Sequence, residues 1–148
     1  TFNMKSVYLI GSLRNPRVQE IATYLRQLGW QVFDDWHAVG EDCDIRWKEY
    51  EQKRGRTLPE ALAGAHAQNV FLFDKTHLDN SECAVVVLPA GRSAMLELGY
   101  VIGTGKPGFV LLDGDPDRWD VMLAFSTGVF LTVEDLLAAL TCDKVEVV

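Results

Sequence analysis

The chain has 148 residues, a net charge of −7 and a hydrophobic share of 48%. That is enough for one domain with a real core and too few for two ordinary ones, so residues 1–148 are read as a single domain. The acidic balance has no basic cluster within it, which argues against a nucleic-acid surface, and no apolar run approaches the roughly 20 residues a membrane helix needs.

The N-terminus carries no secretory pattern, and Met4 is one candidate for the natural start. Cys43, Cys83 and Cys142 are far apart and form no CxxC pair, so they read as reduced thiols of a cytoplasmic protein.

In chain order, "MKSVYLIGS" (4–12) reads as a buried strand ending in Gly-Ser. Pro16 opens a helix whose Val18, Ile21, Ala22, Leu25 and Leu28 share one face, and Gly29 closes it. "WQVFDDW" (30–36) is the second strand. Residues 37–81 are mostly polar and helical in pattern, with Thr57 and Glu60 spaced as a capping box. "CAVVVLP" (83–89) is apolar throughout, as a strand covered on both faces should be. A helix follows over 93–105, then a strand "GFVLLD" (108–113), a turn-rich loop, a short strand "GVFLT" (128–132) and a last helix "VEDLLAAL" (133–140). This alternation predicts an α/β domain with a mostly parallel sheet. Ligands in such sheets bind beyond the C-terminal strand ends. Three stretches qualify: "GSLRNP" (11–16), "DDW" (34–36) and "PAGRSAMLE" (89–97).

Several motifs fail on context. "GTGKP" (103–107) follows a helix rather than a strand, and Pro107 stands where a P-loop needs Ser or Thr, so a helix C-cap explains it better. "GRSAM" (91–95) resembles a nucleophile elbow, but His37, His66 and His77 all precede Ser93, the wrong order for an α/β-hydrolase triad. The three histidines lack metal-ligand spacing, so no metal is expected. The first strand–helix turn has one glycine, not the three of a dinucleotide fingerprint.

Glu97 is the residue that demands an explanation. It shares a helix face with Ala94, Leu98, Val101 and Ile102, where a carboxylate is out of place. The helix start favours its ionised form and partial burial opposes it. An ionised, poorly hydrated carboxylate is a good nucleophile. The plainer alternatives are a salt bridge to Arg92 or Arg14, or a side chain that points outward.

"VYLIGSLRNP", "DKTHLDNSECAVVVLPAGRSAMLELGYVIGTGKP" and "RWDVMLAF" resemble the nucleoside 2-deoxyribosyltransferase family, which includes the 2′-deoxynucleoside 5′-monophosphate N-hydrolases. The resemblance covers most of the chain except the insert around 37–70. It implies that Glu97 attacks the anomeric carbon and holds a glycosyl-enzyme ester, that Tyr8 positions Glu97, and that Asp74 serves the base as acid, with Asp79 as the fallback. The transferases carry an Asp six residues before the nucleophile; here that position is Gly91, whereas the hydrolases have a small polar residue there that leaves room for a 5′-phosphate. The hydrolases also carry a "GSxR" turn, which Gly11, Ser12, Leu13 and Arg14 match. Ser12, Arg14 and the N–H groups of the helix starting near Pro16 would form a small anion site. Asp35 and Ser93, at strand ends, complete the expected substrate contacts. The family completes its site from a neighbouring subunit, which makes Asp120 and Met122 borrowed residues and the protein a homodimer or larger homo-oligomer. Asp120 stands where the transferases have Asn.

Pattern and resemblance together predict a flavodoxin/Rossmann-like three-layer sandwich with a five-stranded, mostly parallel sheet and a helical insert after strand two. The expected activity is N-glycosidic cleavage of 2′-deoxynucleosides or their 5′-monophosphates, without cofactor, with hydrolysis of the monophosphate favoured. The alternatives are base exchange on free nucleosides and a nucleotide sensor without turnover.

Overall fold

The computed structural model describes residues 5–141; Met4 and Cys142 lie outside them. The strands are β1 (Ser6–Ile10), β2 (Gln31–Phe33), β3 (Cys83–Val87), β4 (Gly108–Leu111) and β5 (Gly128–Phe130), in the order β2-β1-β3-β4-β5. Every pairing is parallel, a stronger result than the mostly parallel sheet expected. The helices are α1 (Arg17–Gln27), α2 (Cys43–Lys53), α3 (Leu58–Leu62), α4 (Ala65–Asn80), α5 (Arg92–Gly103) and α6 (Val133–Thr141).

A strand buried on both faces sends alternate side chains into two cores. Val7, Leu9, Val85 and Val87 pack with Val18, Ile21 and Leu25 of α1 and with Leu136 and Leu140 of α6. Tyr8, Ile10, Ala84 and Val86 point the other way, onto Ala94, Leu98 and Val101 of α5 and Leu78 of α4. The result is the three-layer α/β/α sandwich expected.

The element ends differ from the sequence reading in instructive ways. β2 stops at Phe33, and Asp35–Val39 form a 3-10 turn that carries Trp36 back over the sheet. The Trp36 indole N–H donates to the Leu9 carbonyl at 2.7 Å, which rewards the turn over a longer strand. Leu28, expected on the buried face of α1, sits past the helix end and is exposed. The insert divides into α2, α3 and α4. The Thr57–Glu60 capping box does open α3, but that helix ends at Leu62, and Gly64 starts α4 anew. Lys106 of "GTGKP" holds two elements together. Its ammonium donates to the carbonyls of Leu78, Asp79 and Ser81 at 2.8, 2.8 and 3.0 Å, closing the C-terminus of α4. Cations are favoured there because the last helical carbonyls lack partners.

The chain leaves β1 toward β2 on one side and returns to place β3 on the other, so the strand order reverses between β1 and β3. Their C-terminal ends flank the crevice where an open α/β sheet binds its ligand. Asn15, buried in the turn after β1, ties the two ends together. Its amide donates to the Val87 carbonyl at 3.5 Å, and its Oδ1 accepts from the Arg17 N–H at 3.0 Å. Gly11 is needed here because a Cβ would fall 2.8 Å from Cγ2 of Val18.

Candidate active site

A cavity of about 580 Å³ occupies that crevice. β1 contributes Tyr8, the turn after it Gly11–Arg14, and the 3-10 turn Asp35 and Trp36. The insert contributes Asn69, Phe73 and Asp74 of α4, and the start of α5 contributes Gly91, Ser93 and Glu97. The fold thus brings together Glu97, Tyr8, Asp74, Gly11, Ser12, Leu13, Arg14, Asp35, Gly91 and Ser93, residues spread from 8 to 97 in the chain.

Glu97 points inward. Among the described residues it pairs with neither Arg92 nor Arg14; instead the Tyr8 hydroxyl donates to Glu97 Oε2 at 3.0 Å. Tyr8 is buried in the middle strand pair, so its ring is fixed and the hydroxyl is aimed. Burial, then the nearby Glu97 and Asp74 charges, push the Tyr8 phenol well above its ordinary range, so it stays a donor. Glu97 itself is pushed up to about 7, chiefly by burial; the Tyr8 hydrogen bond opposes the shift and the Asp74 charge adds to it. Of the two opposing effects expected from the sequence, helix start and burial, burial is the larger. α5 begins at Arg92, which places Glu97 in the second turn, where the end-charge of the helix has largely faded. Desolvation wins.

Asp74 is half-buried, and its carboxyl is raised by burial, with a smaller opposing effect from His77. His77 is placed by aromatic packing: its ring stacks on Phe33 at 4.1 Å between centroids, and Phe33 in turn lies 5.0 Å from Tyr8. Two carboxyls of raised pKa in one cavity form a coupled pair, able to divide a reaction into a base or nucleophile and an acid.

The cavity's polar end also departs from expectation. The first N–H of α1 is already taken by Asn15, so that helix offers less to an anion than its position suggests. α5 is different. Its cap is Gly91, which has no side chain to satisfy the first-turn N–H groups, and 91–94 line the cavity. Ser12 Oγ accepts from the Arg14 N–H at 3.1 Å, and the exposed Arg14 guanidinium reaches the Glu41 carbonyl at 3.4 Å. A Cβ at Gly91 would meet no atom within 4 Å.

Three expected residues stand outside the cavity. Asp79, the fallback acid, accepts from the Tyr100 hydroxyl at 2.6 Å and from Lys75 at 2.9 Å, which hold it on the outer surface and well ionised. Asp120 accepts from the Met122 N–H at 2.9 Å, and both are exposed. Trp36 belongs to the "DDW" stretch expected at the ligand end of the sheet and lines the cavity; Asn69 and Phe73 also line it and were not singled out, their one signal in the sequence being proximity to Asp74. Among the described residues no group of His, Cys, Asp and Glu is arranged to hold a metal, and no helix is long and apolar enough to cross a membrane.

No family model and no curated protein sequence matches the chain. Solved structures do. A conserved protein from Enterococcus faecalis V583 superposes with a TM-score of 0.64 at 14% identity, over 95% of this chain and 99% of that one. A 2-deoxyribosyltransferase from Bacillus psychrosaccharolyticus gives 0.57 at 19% identity, over 88% and 89%. The CMP N-glycosidase BcmB from Clostridium botulinum gives 0.56 at 13% identity, over 93% and 99%. The fold is that of the nucleoside 2-deoxyribosyltransferase-like proteins. At these identities the likeness is one of architecture, and the 2-deoxyribosyltransferase-like fold leaves the chemistry to be argued from the cavity itself.

Proposed function

We propose that the cavity cleaves the N-glycosidic bond of 2′-deoxynucleosides or their 5′-monophosphates, the monophosphates being favoured, through a glycosyl ester on Glu97. The observation that carries this reading is the buried Tyr8–Glu97 hydrogen bond beside the raised Asp74 carboxyl, at the switch point of the sheet. The names of two solved structures of the same fold, a 2-deoxyribosyltransferase and a CMP N-glycosidase, support N-glycosidic chemistry.

In the first step the ionised Glu97 attacks C1′ from the face opposite the base. The C1′–N bond breaks, its electron pair stays with the base, and Asp74 supplies the proton that makes the base a neutral leaving group. In the second step water attacks C1′ of the ester, Asp74 takes its proton, and Glu97 leaves as carboxylate. Tyr8 holds one Glu97 oxygen throughout and so orients the other. Incubation with a panel of nucleosides and their monophosphates, followed by chromatography for free base, tests the reading; no base released from any of them would refute it.

The phosphate end follows from Ser12, Arg14 and the uncapped start of α5. A charge-assisted contact contributes about 1.5–3 kcal/mol, roughly a tenfold to hundredfold preference for the monophosphate over its nucleoside. Arg14→Ala is expected to erase most of that preference while nucleoside cleavage changes little, measured as the ratio of kcat/KM values. A mutant that keeps the wild-type ratio would remove Arg14 from the phosphate site.

The protein is further proposed to act as a homodimer or larger homo-oligomer. Trp119, Val121 and Phe125 around Asp120 and Met122 are 83%, 77% and 73% exposed, an apolar surface suited to burial against a second copy. Asp120 and Met122 would then reach the neighbour's cavity. Light scattering at micromolar concentration should give at least a dimer; an active monomer would overturn this.

A further inference from the structure

α4 runs past the cavity with the sequence "NVFLFD" over 69–74; Asn69 and Phe73, four residues apart, share one helix face, and Asp74 lines the cavity beside them. Neither Asn69 nor Asp74 hydrogen-bonds to any described residue through its side chain, so both keep their bonding capacity for whatever enters. Phe73 is half exposed, and its ring is braced by Phe33 at 5.9 Å and His77 at 4.5 Å between centroids. An aromatic face of this kind stacks any base, so it gives affinity without choice. Choice must come from the polar groups on either side.

Resting on the proposed cleavage reaction, we infer that Asn69 reads the edge of the leaving base and selects bases that carry an exocyclic amine beside a ring nitrogen. The amide matches such an edge fully: its NH2 donates to the ring nitrogen and its oxygen accepts from the amine. An amide alone can turn over and match an oxo-base equally well. The rest of the wall removes that symmetry. Asp35 and Asp44 line the same cavity, and a carboxylate accepts from an amine but repels a carbonyl oxygen. The cations of the cavity, Arg14 and Arg92, come from the turn after β1 and the start of α5, the end assigned above to the phosphate. An oxo-base therefore places its oxygen among acceptors, whereas an amino-base finds a partner for each N–H.

The test uses substrate pairs that differ only in that group: the 2′-deoxy monophosphates of cytidine and uridine, and of adenosine and inosine. The wild-type protein should favour the amino member of each pair by about tenfold or more in kcat/KM. Asn69→Leu, nearly isosteric and on an exposed helix face, should bring both ratios to within about twofold while base release continues. Should leucine disturb folding, judged by circular dichroism, Asn69→Ser carries the same comparison. Base release without an amino preference, or a preference that survives in both variants, overturns this inference and leaves the cleavage proposal standing. No base from any of the four substrates overturns this inference, and no base from the whole panel of nucleosides and monophosphates overturns the cleavage proposal as well.

Discussion

Replacing Glu97 with glutamine is expected to stop base release and to make the protein more stable at alkaline pH. An amide cannot form the glycosyl ester, so the rate should fall by about a thousandfold or more. A 2′-fluoro nucleoside should add mass to the wild-type peptide containing Glu97 and to none in the mutant; base release near the wild-type rate would remove Glu97 from the mechanism. The stability change has a definite sign. Glu97 ordinarily titrates near 4.5 and in the folded chain near 7, so the native state holds this proton more tightly than the unfolded one. The stabilising contribution of the proton is complete below 4.5 and is lost as pH rises through 7. Glutamine titrates nowhere in this range. The two proteins should therefore differ little at pH 4 and diverge upward, the mutant gaining at most about 3 kcal/mol above pH 8, read from denaturant midpoints. The same shift sets the acidic limb of the wild-type rate profile, which should rise with pH through about 7 as the nucleophile ionises.

Asp74→Asn should slow the release of ordinary bases by about 10²- to 10⁴-fold, the usual contribution of a positioned acid. The informative control is a 2-deoxyriboside with a nitrophenolate leaving group. That group departs without a proton, so the mutant should form the ester with it at close to the wild-type rate. Equal losses on both substrates would show that Asp74 does something other than protonate the base. Removing the Asp74 charge also removes one cause of the raised Glu97, so the acidic limb of the mutant should move to lower pH.

The layers of the fold were legible because the strands are unbroken apolar runs and the helices are amphipathic. "CAVVVLP" announced a strand covered on both faces, and β3 is buried at every position. The insert was legible only as helical. Its breaks depend on Gly64 and on the tertiary hold of Lys106 on α4, and neither leaves a periodicity. Glu97 was found by its misplacement in an apolar stripe and Tyr8 by resemblance. The hydrogen bond between them joins residues 89 apart, which no local pattern reports. The balance between helix start and burial at Glu97 was not legible, because the sequence gives a residue's place in a helix to within a turn, while the end-charge effect fades over that same turn. Asn69 and Phe73 went unnoticed because they become cavity residues only once α4 is laid across the switch point.

The open space over Gly91 has a meaning for ancestry as well as for binding. A Cβ there would meet no other atom within 4 Å, and the backbone needs no special conformation to receive one. The sheet and both helical layers therefore leave the first carbon of a side chain at position 91 unopposed. A lineage could place an acidic side chain on this wall of the cavity in a single step without displacing the backbone around it. Such a position lets the lining of the cavity change while the layers that build it stay the same.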